Sequence, residues 1–167
     1  LFAPNSVAIF AGPADAPEQL TEQARLLHPA LRAQRFTGTF RFIDIRATSG
    51  TLADLASAKA DLAIIALPFA DIAHAIELAS RMDCTAAMVL SSGITAEQAE
   101  GLHKVAEQAG IHLLGPNGLG IQRPPSQLNA SVAGPLARSG SLALVSQSGA
   151  LTSSMLDWAA SNAVGFS

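Results

Sequence analysis

Two turns in the last third of the sequence carry residue types that can bind an anion. The first turn, residues 115–120, reads GPNGLG, and its glycines permit positive φ and close approach of another group. The second, residues 146–149, reads SQSG and lies between an apolar run, 142–145, and a helical pattern that starts near Ala150. Free N–H groups at a helix start can hold an anion. The two turns therefore predict a ligand with phosphates or carboxylates.

Each turn also has a structural interpretation that needs no ligand. Residues 115–120 could simply end a domain, and the serines of residues 146–149 could simply cap a helix, since serine is a common residue before a helix. Both interpretations stay open at this point.

Two other kinds of enzyme site are not supported by the spacing of these residues. A nucleophilic-serine hydrolase carries G-x-S-x-G at its strand-to-helix turn, but Ser146 and Ala150 stand in the two glycine places. A dehydrogenase that binds NAD carries G-x-G-x-x-G after its first strand, and this sequence lacks it there. We therefore expect neither serine-dependent hydrolysis nor NAD-dependent chemistry.

The remaining residues able to do chemistry are isolated from one another. Cys84 is the single cysteine and has no metal-ligand spacing around it, so we expect a structural role at a helix end. The histidines fall on helical patterns or beside a strand, which predicts surface or core-edge roles rather than acid–base catalysis. They are His28, His74, His103 and His112. The sequence predicts no metal site.

Composition excludes several classes of partner. Of the 167 residues only 14% are charged, and the net charge of −3 gives no basic field for nucleic acid or an anionic membrane surface. The longest nearly apolar runs, 62–69 and 86–90, are far shorter than a bilayer span, and no basic segment precedes an apolar one at the N-terminus. A soluble, cytoplasmic protein is expected.

Apolar patterns place the two turns on a recognisable scaffold. Five short strand patterns alternate with helical ones before residue 115, which is the βαβ order of a doubly wound parallel sheet. Ligands of such sheets bind at the carboxyl ends of the strands. The predicted strand ends are residues 11–13, 45–46, 67–69, 91–93 and 115–117.

The sequence changes character after residue 121. Residues 122–140 show no sustained period and predict a surface connection, and residues 141–167 carry one strand pattern, 142–145, and one helix. One strand and one helix cannot bury their apolar faces alone. We therefore predict a first domain at 1–121 and the beginning of a second at 141–167. The apolar helix face of Leu151, Met155 and Trp158 should pack back on the first domain or pair with a second copy.

The motifs GPN, SQSG, DWA and GFS, in this order behind five strand patterns, carry a resemblance to a known family. Through LLGPNGLGI and LALVSQSGALTSSMLDWAASNAVGFS the sequence resembles the NDP-forming acyl-CoA synthetases, which include ADP-forming acetyl-CoA synthetases and the α subunit of succinyl-CoA synthetase. Through LNASVAGPLARSGSLALVSQSGAL it is also similar to the version fused to a protein lysine acetyltransferase.

The resemblance implies a Rossmann-like CoA-binding domain followed by the first βα unit of a flavodoxin-like ligase domain. The family converts acyl-CoA, ADP and phosphate to acid, CoA and ATP, or the reverse, through a phosphohistidine. None of the histidines here matches that motif, so the resemblance implies no catalytic residue within this chain, which should be inactive alone. The implied ligand is CoA or acyl-CoA. ADP, ATP and Mg would be held by ligase and ATP-grasp domains absent here, and a homo-oligomer is possible.

Site residues carry over from the family by motif. Arg46 matches a basic residue that meets a CoA phosphate, with a solvated surface charge as the alternative, and Asn117 matches the Asn at the thiol end. Pro68 and Phe69 match the turn near the adenine and pantetheine arm. The next strand-end turn is matched by Ser91, Ser92 and Gly93, and the helix start that holds a phosphate by Ser148, Gly149 and Ala150.

The turn after the first strand departs from the family. It reads AGPADAPEQLTEQA, so Gly12 stands alone, prolines at 13 and 17 remove amide donors, and Asp15 and Glu18 add negative charge. The departure predicts CoA binding that is weak, altered or lost. Two function classes remain: the CoA-binding portion of an acid–CoA ligase, or a regulatory acyl-CoA sensor in a protein lysine acetyltransferase whose ligase activity is lost.

Overall fold

The computed structural model of the chain describes residues 3–12, 19–33, 35–45 and 59–167. Eight strands and four α-helices lie in this part of the chain. The strands are β1 (Ser6–Phe10), β2 (Thr39–Phe42), β3 (Leu62–Ile65), β4 (Ala86–Val89), β5 (His112–Leu114), β6 (Gly120–Arg123), β7 (Leu128–Ser131) and β8 (Ser139–Leu142). The helices are α1 (Glu22–Ala33), α2 (Phe69–Arg81), α3 (Ala96–Gln108) and α4 (Gly149–Ser161).

The first five strands form one parallel sheet in the order β2-β1-β3-β4-β5. The strand order reverses at β1, so a crevice for a ligand is expected where the connections of β1 and β3 leave on opposite faces. The predicted doubly wound α/β fold is confirmed. Its predicted brief helix at 52–58 lies outside the described residues.

Burial on both faces explains why β3 is continuously apolar. Ala63 and Ile65 face one cluster with residues of α2 and α3, while Leu62 and Ile64 face a second cluster with residues of α1. All four side chains of β3 are fully buried. The leucine and the two isoleucines each contribute about 1.5–3 kcal/mol relative to exposure, so this strand is central to the core.

Capping motifs in the sequence agree with most of the observed helix starts, with one exception. Thr95 and Gln98 form the predicted capping box of α3, with the Gln98 N–H donating to Thr95 Oγ1 and the Thr95 N–H to Gln98 Oε1. Aspartate is a favoured N-cap residue, so the sequence predicts Asp71 as the cap of α2. Asp71 instead lies in the first turn, because the helix begins at Phe69 directly after Pro68. Proline cannot donate an amide, so it fits a position where the helix needs no donor. Pro29, expected to kink or divide α1, lies within one continuous helix.

Residues 122–140 contain more structure than the predicted surface connection. Strands β6 and β7 form an antiparallel hairpin through a short 3₁₀ turn, Pro124–Ser126. Leu128 and Ala130 of β7 are fully buried against the cluster that contains α1. Strands β6 (GIQR) and β7 (LNAS) mix polar and apolar residues, unlike the all-apolar β3 and β4, which is why the sequence did not indicate them. The domain limits themselves stay a prediction.

The β8–α4 unit is the most exposed part of the fold. Strand β8 lies three residues before its predicted place and bridges Phe166 in parallel, and all four of its residues are exposed. Trp158 and Leu151 are 52% and 53% exposed. This helix face is therefore only partly covered in the described structure, and packing on the first domain or pairing with a second copy stays a prediction. No α-helix among the described residues has the length and apolar composition to cross a membrane.

The Asp61 carboxylate ties the start of β1 to the start of β3. It accepts hydrogen bonds from the N–H groups of Asn5 (2.8 Å) and Ser6 (2.9 Å) and from the Ser6 hydroxyl (3.1 Å). The pKa of Asp61 is lowered, mainly by the hydrogen bond from the Asn5 N–H; burial acts in the opposite direction, and the two Ser6 donors lower the pKa further.

We predict that Asp61→Asn lowers the free energy of unfolding at pH 7 by about 1 kcal/mol, a modest value because the carboxylate is largely exposed. A lowered folded-state pKa gives stability that is complete above the ordinary aspartate pKa of about 4 and is lost as the pH falls through the folded-state value. The variant should therefore lose part of the acid dependence below about pH 4. Urea unfolding from pH 2.5 to 7 measures this, with the exposed Asp157→Asn as control; equal curves for both variants would contradict it.

Candidate functional site

The turn at 115–118 rests directly on the end of β4. Gly115 has a φ of 88°, and a Cβ there would collide with the Val89 carbonyl oxygen. The Asn117 N–H donates to the Ser91 carbonyl (3.0 Å) and the Gly118 N–H to that of Val89 (3.4 Å). The peptide bond between Gly115 and Pro116 is cis. Only glycine fits so close an approach of two backbones, so the GPN motif has a structural role whether or not a ligand binds.

The Asn117 side chain joins this turn to the next strand end. Its Nδ2 donates to the Ile94 carbonyl (3.1 Å), and its Oδ1 accepts from the Ile94 N–H (3.4 Å). The side chain remains exposed. An amide has two N–H donors and two acceptor lone pairs, so one of each stays available for a ligand. Asn117 therefore organises the two turns and can still contact a third group.

The three predicted site residues after β4, Ser91, Ser92 and Gly93, differ in whether a ligand can reach them. Ser91 is 4% exposed, and its hydroxyl donates to the Leu67 carbonyl (2.6 Å), which joins the ends of β4 and β3. Ser92 is exposed and accepts from Gln23 Nε2 (2.7 Å). Gly93 is exposed, has a φ of 76°, and has no atom within 4 Å of the place of a Cβ. Ser92 and Gly93 can thus meet a ligand, whereas Ser91 is structural.

The remaining predicted residues lie at the ends of β1 and β3. Phe69 is 44% exposed at the first position of α2, and Pro68 beside it is exposed. Gly12 has a φ of 71° and directly follows the end of β1, and a Cβ there would contact Leu20 at 3.0 Å. Arg46 lies outside the described residues, as do the prolines and acidic residues of the turn at 13–18.

His103 contacts the GPN turn, which its place in the sequence did not indicate. Its Nε2 lies 3.0 Å from the Gly115 carbonyl oxygen. A carbonyl oxygen only accepts, so this nitrogen must carry the hydrogen. The contact spans 12 residues between α3 and the end of β5, and no local motif encodes it. His28, in contrast, is 7% exposed and stacks on Phe42 at 5.6 Å.

The second turn forms a capped helix start, as predicted. Ser148 is the N-cap of α4, and its hydroxyl accepts from the Leu151 N–H (3.3 Å), while its own N–H donates to the Ser146 hydroxyl (3.0 Å). Within the described part of the chain, the N–H groups of Gly149 and Ala150 have no hydrogen-bond partner. Two free donors at the positive end of a helix dipole are suited to bind an anion.

The structure brings the two turns together. A Cβ placed on Gly149 would lie 3.5 Å from the side chain of Leu119, which directly follows the GPN turn. The free N–H groups of α4 therefore start beside the end of the sheet that carries Asn117. Among the described residues, no group of three or more His, Cys, Asp or Glu side chains is placed to hold a metal ion.

The serine pair after β4 provides a matched test of this geometry. We predict that Ser91→Ala lowers the free energy of unfolding by about 1–3 kcal/mol, because it leaves a buried carbonyl without its donor. Ser92→Ala should change it by less than about 0.5 kcal/mol, since both groups of that hydrogen bond are exposed. Urea unfolding of the two variants measures the difference; equal losses would show that Ser91 is not the structural link between β3 and β4.

Comparison with known proteins gives relatives of one kind. The ADP-forming acetate–CoA ligase I of Archaeoglobus fulgidus is 38% identical over 113 residues, which are 64% of this chain and 16% of that protein. The α subunit of the ADP-forming acetate–CoA ligase I of Pyrococcus furiosus is 30% identical over 115 residues, 65% of this chain and 25% of the subunit. No protein-family model matches the sequence.

A solved structure extends the likeness to nearly the whole chain. The apo form of the dinucleotide forming acetyl-coenzyme A synthetase 1 of Candidatus Korarchaeum cryptofilum superposes with a TM-score of 0.82 at 25% identity. It covers 98% of this chain and 37% of the synthetase chain. This chain thus spans only a part of each relative. Its homologues are ADP-forming acetyl-CoA synthetases, and it aligns with a portion of their length.

Proposed function

We propose that this chain is the CoA-binding portion of an ADP-forming acid–CoA ligase. The observation that carries the proposal is the proximity of Leu119 to Gly149, where a Cβ would lie 3.5 Å from the Leu119 side chain, because it sets a helix start with free N–H groups near the carboxyl edge of the sheet. Transfer of an acyl group between CoA and phosphate needs these two ligands to lie next to each other. The homologues are ADP-forming acetyl-CoA synthetases, which supports the same acyl-transfer reaction.

In this proposal CoA lies along the ends of β3, β4 and β5. Phe69 supplies an exposed aromatic surface for the adenine or the pantetheine arm, and Gly93 leaves room for close approach of the ligand. The free donor and acceptor of Asn117 face the thiol end. Arg46 is proposed to meet a CoA phosphate. The edge combines one apolar surface with a few polar groups, which is the usual composition of a cofactor site.

The start of α4 would hold the phosphate that replaces CoA on the acyl group. The N–H groups of Gly149 and Ala150 offer two hydrogen bonds, and the helix dipole favours the negative charge. Ser148 keeps these donors in place through its cap on Leu151. The residues of this chain would therefore bind and orient both reactants without supplying a nucleophile.

The exposed apolar surface of the β8–α4 unit suits a further part of the same enzyme. Leu142, Val145 and Trp158 are 51%, 90% and 52% exposed. We propose that other ligase domains cover them, that ADP, ATP and Mg bind in such domains, and that the chain alone has no turnover.

The buried thiol of Cys84, whose pKa burial raises to about 12, is unreactive and is compatible with a cytoplasmic location.

The alternative, a regulatory acyl-CoA sensor in a protein lysine acetyltransferase, rests on the turn after β1. Of that turn only Gly12 is described near the sheet edge, and the prolines at 13 and 17 lie outside the described residues. The sequence of that turn favours weaker binding, so the relative affinity for CoA and acetyl-CoA separates the two functions.

We predict that calorimetric titration of the chain detects CoA with micromolar affinity. Phe69→Ala should weaken it about tenfold, because it removes an aromatic contact of about 1.4 kcal/mol. Leu26→Ala, a change of a similarly exposed residue on α1, should leave the affinity unchanged. A clear preference for acetyl-CoA would favour the sensor. Absence of binding, or equal effects of the two variants, would contradict a CoA site at this edge.

A further inference from the structure

We infer that Gln122 is a positioning residue that holds the start of α4 against the GPN turn. The side chain lies on β6, and both ends of its amide contact the segment that leads to β8. Its Nε2 lies 3.0 Å from the Pro135 carbonyl and 3.2 Å from the Ser131 hydroxyl, and its Oε1 accepts from the Ala137 N–H at 2.9 Å. One amide therefore fixes residues 135–137 from two sides. The functional part of this inference rests on the proposed function.

Two buried residues of β7 complete what we call the polar clamp, formed by Gln122, Asn129 and Ser131. Asn129 and Ser131 are 4% and 2% exposed. The Asn129 Nδ2 donates to the Gly134 carbonyl (2.9 Å), and the Ser131 hydroxyl donates to Asn129 Oδ1 (2.7 Å). Gln122 and Asn129 are direct partners across the hairpin. A satisfied polar network in a buried setting favours one geometry over others.

The polar clamp is anchored firmly on the side of the first domain. Leu128 and Ala130 alternate with its residues along β7 and are fully buried in the cluster that contains α1. The Val132 N–H donates to the Leu119 carbonyl (2.8 Å), so the end of β7 is also tied to the residue that touches Gly149.

The β8–α4 unit, on the other side of the polar clamp, has little apolar packing to hold it in position. All four residues of β8 are exposed, and in α4 only Ala159 is buried. The Phe166 N–H donates to the Arg138 carbonyl (2.8 Å), which closes the β8–α4 unit on itself rather than on the sheet. Directional hydrogen bonds of the polar clamp, rather than hydrophobic burial, therefore set the direction in which this unit leaves the hairpin.

Limited digestion with trypsin tests this arrangement at Arg138, an exposed residue directly after the clamped segment. In Gln122→Leu we expect cleavage at Arg138 to rise roughly 5- to 30-fold, as local opening becomes easier. Gln122→Glu, which keeps the acceptor for Ala137 but loses the donor, should fall between this variant and the unchanged chain. Gln108→Leu on the exposed face of α3 is the matched control.

Cleavage at Lys104 within α3, and at Arg81, the last residue of α2 before the fully buried Met82, reports global unfolding and should stay constant. Unchanged cleavage at Arg138 in Gln122→Leu, or parallel increases at Arg138 and Arg81, would overturn the inference. These rates need no CoA, so they are informative even if the proposed function fails.

A second experiment measures how close Leu119 lies to Gly149. With Leu119→Cys and Gly149→Cys introduced together, a disulfide should form readily, because the two side chains would be neighbours, while the buried Cys84 stays unreactive. Adding Gln122→Leu should slow the cross-link at least about fivefold. An unchanged rate of cross-linking would show that the polar clamp does not position α4.

Discussion

The close approach of Gly115 to the backbone of β4 sets the shape of the candidate site. No side chain fits between Gly115 and the Val89 carbonyl, so the chain must turn at the end of β5 directly over its neighbour. That turn brings Asn117 to Ser91 and Ile94, and His103 to the Gly115 carbonyl. The carboxyl edge of the sheet is therefore held by backbone and amide contacts before any ligand arrives, which lowers the entropy cost of binding.

A continuous path of contacts runs from this edge to the start of α4. Leu119 follows the turn and touches the place of Gly149, and its carbonyl accepts from Val132 after β7. The hairpin is anchored by buried Leu128, and the polar clamp directs the chain toward β8. In the proposed function each reactant would bind a different element, CoA the edge of the sheet and phosphate the helix start. The distance between them depends on a few polar contacts.

The sequence indicated the sheet and both turns because their signals are local. Continuous apolar runs of the length of β3 predict a strand buried on both faces, and Thr95 with Gln98, or Ser148 before α4, are helix caps with a known spacing. The hairpin was missed because its two short strands mix polar and apolar residues and contain no continuous apolar run. The structural role of Ser91 and the contact of His103 were not predictable, since both depend on residues far apart in the chain. The roles given to Arg46, Asn117 and the helix start stay predictions.

The central claim, that CoA and phosphate bind side by side at this edge, is tested most directly by amide NMR of the uniformly labelled chain. Addition of CoA should shift the amide signals of Gly93 and Asn117, and inorganic phosphate should shift those of Gly149 and Ala150. Both groups of amide signals should shift when CoA and phosphate are present together. Shifts confined to the opposite end of the sheet, or no change at Gly149 and Ala150 with phosphate, would contradict the account.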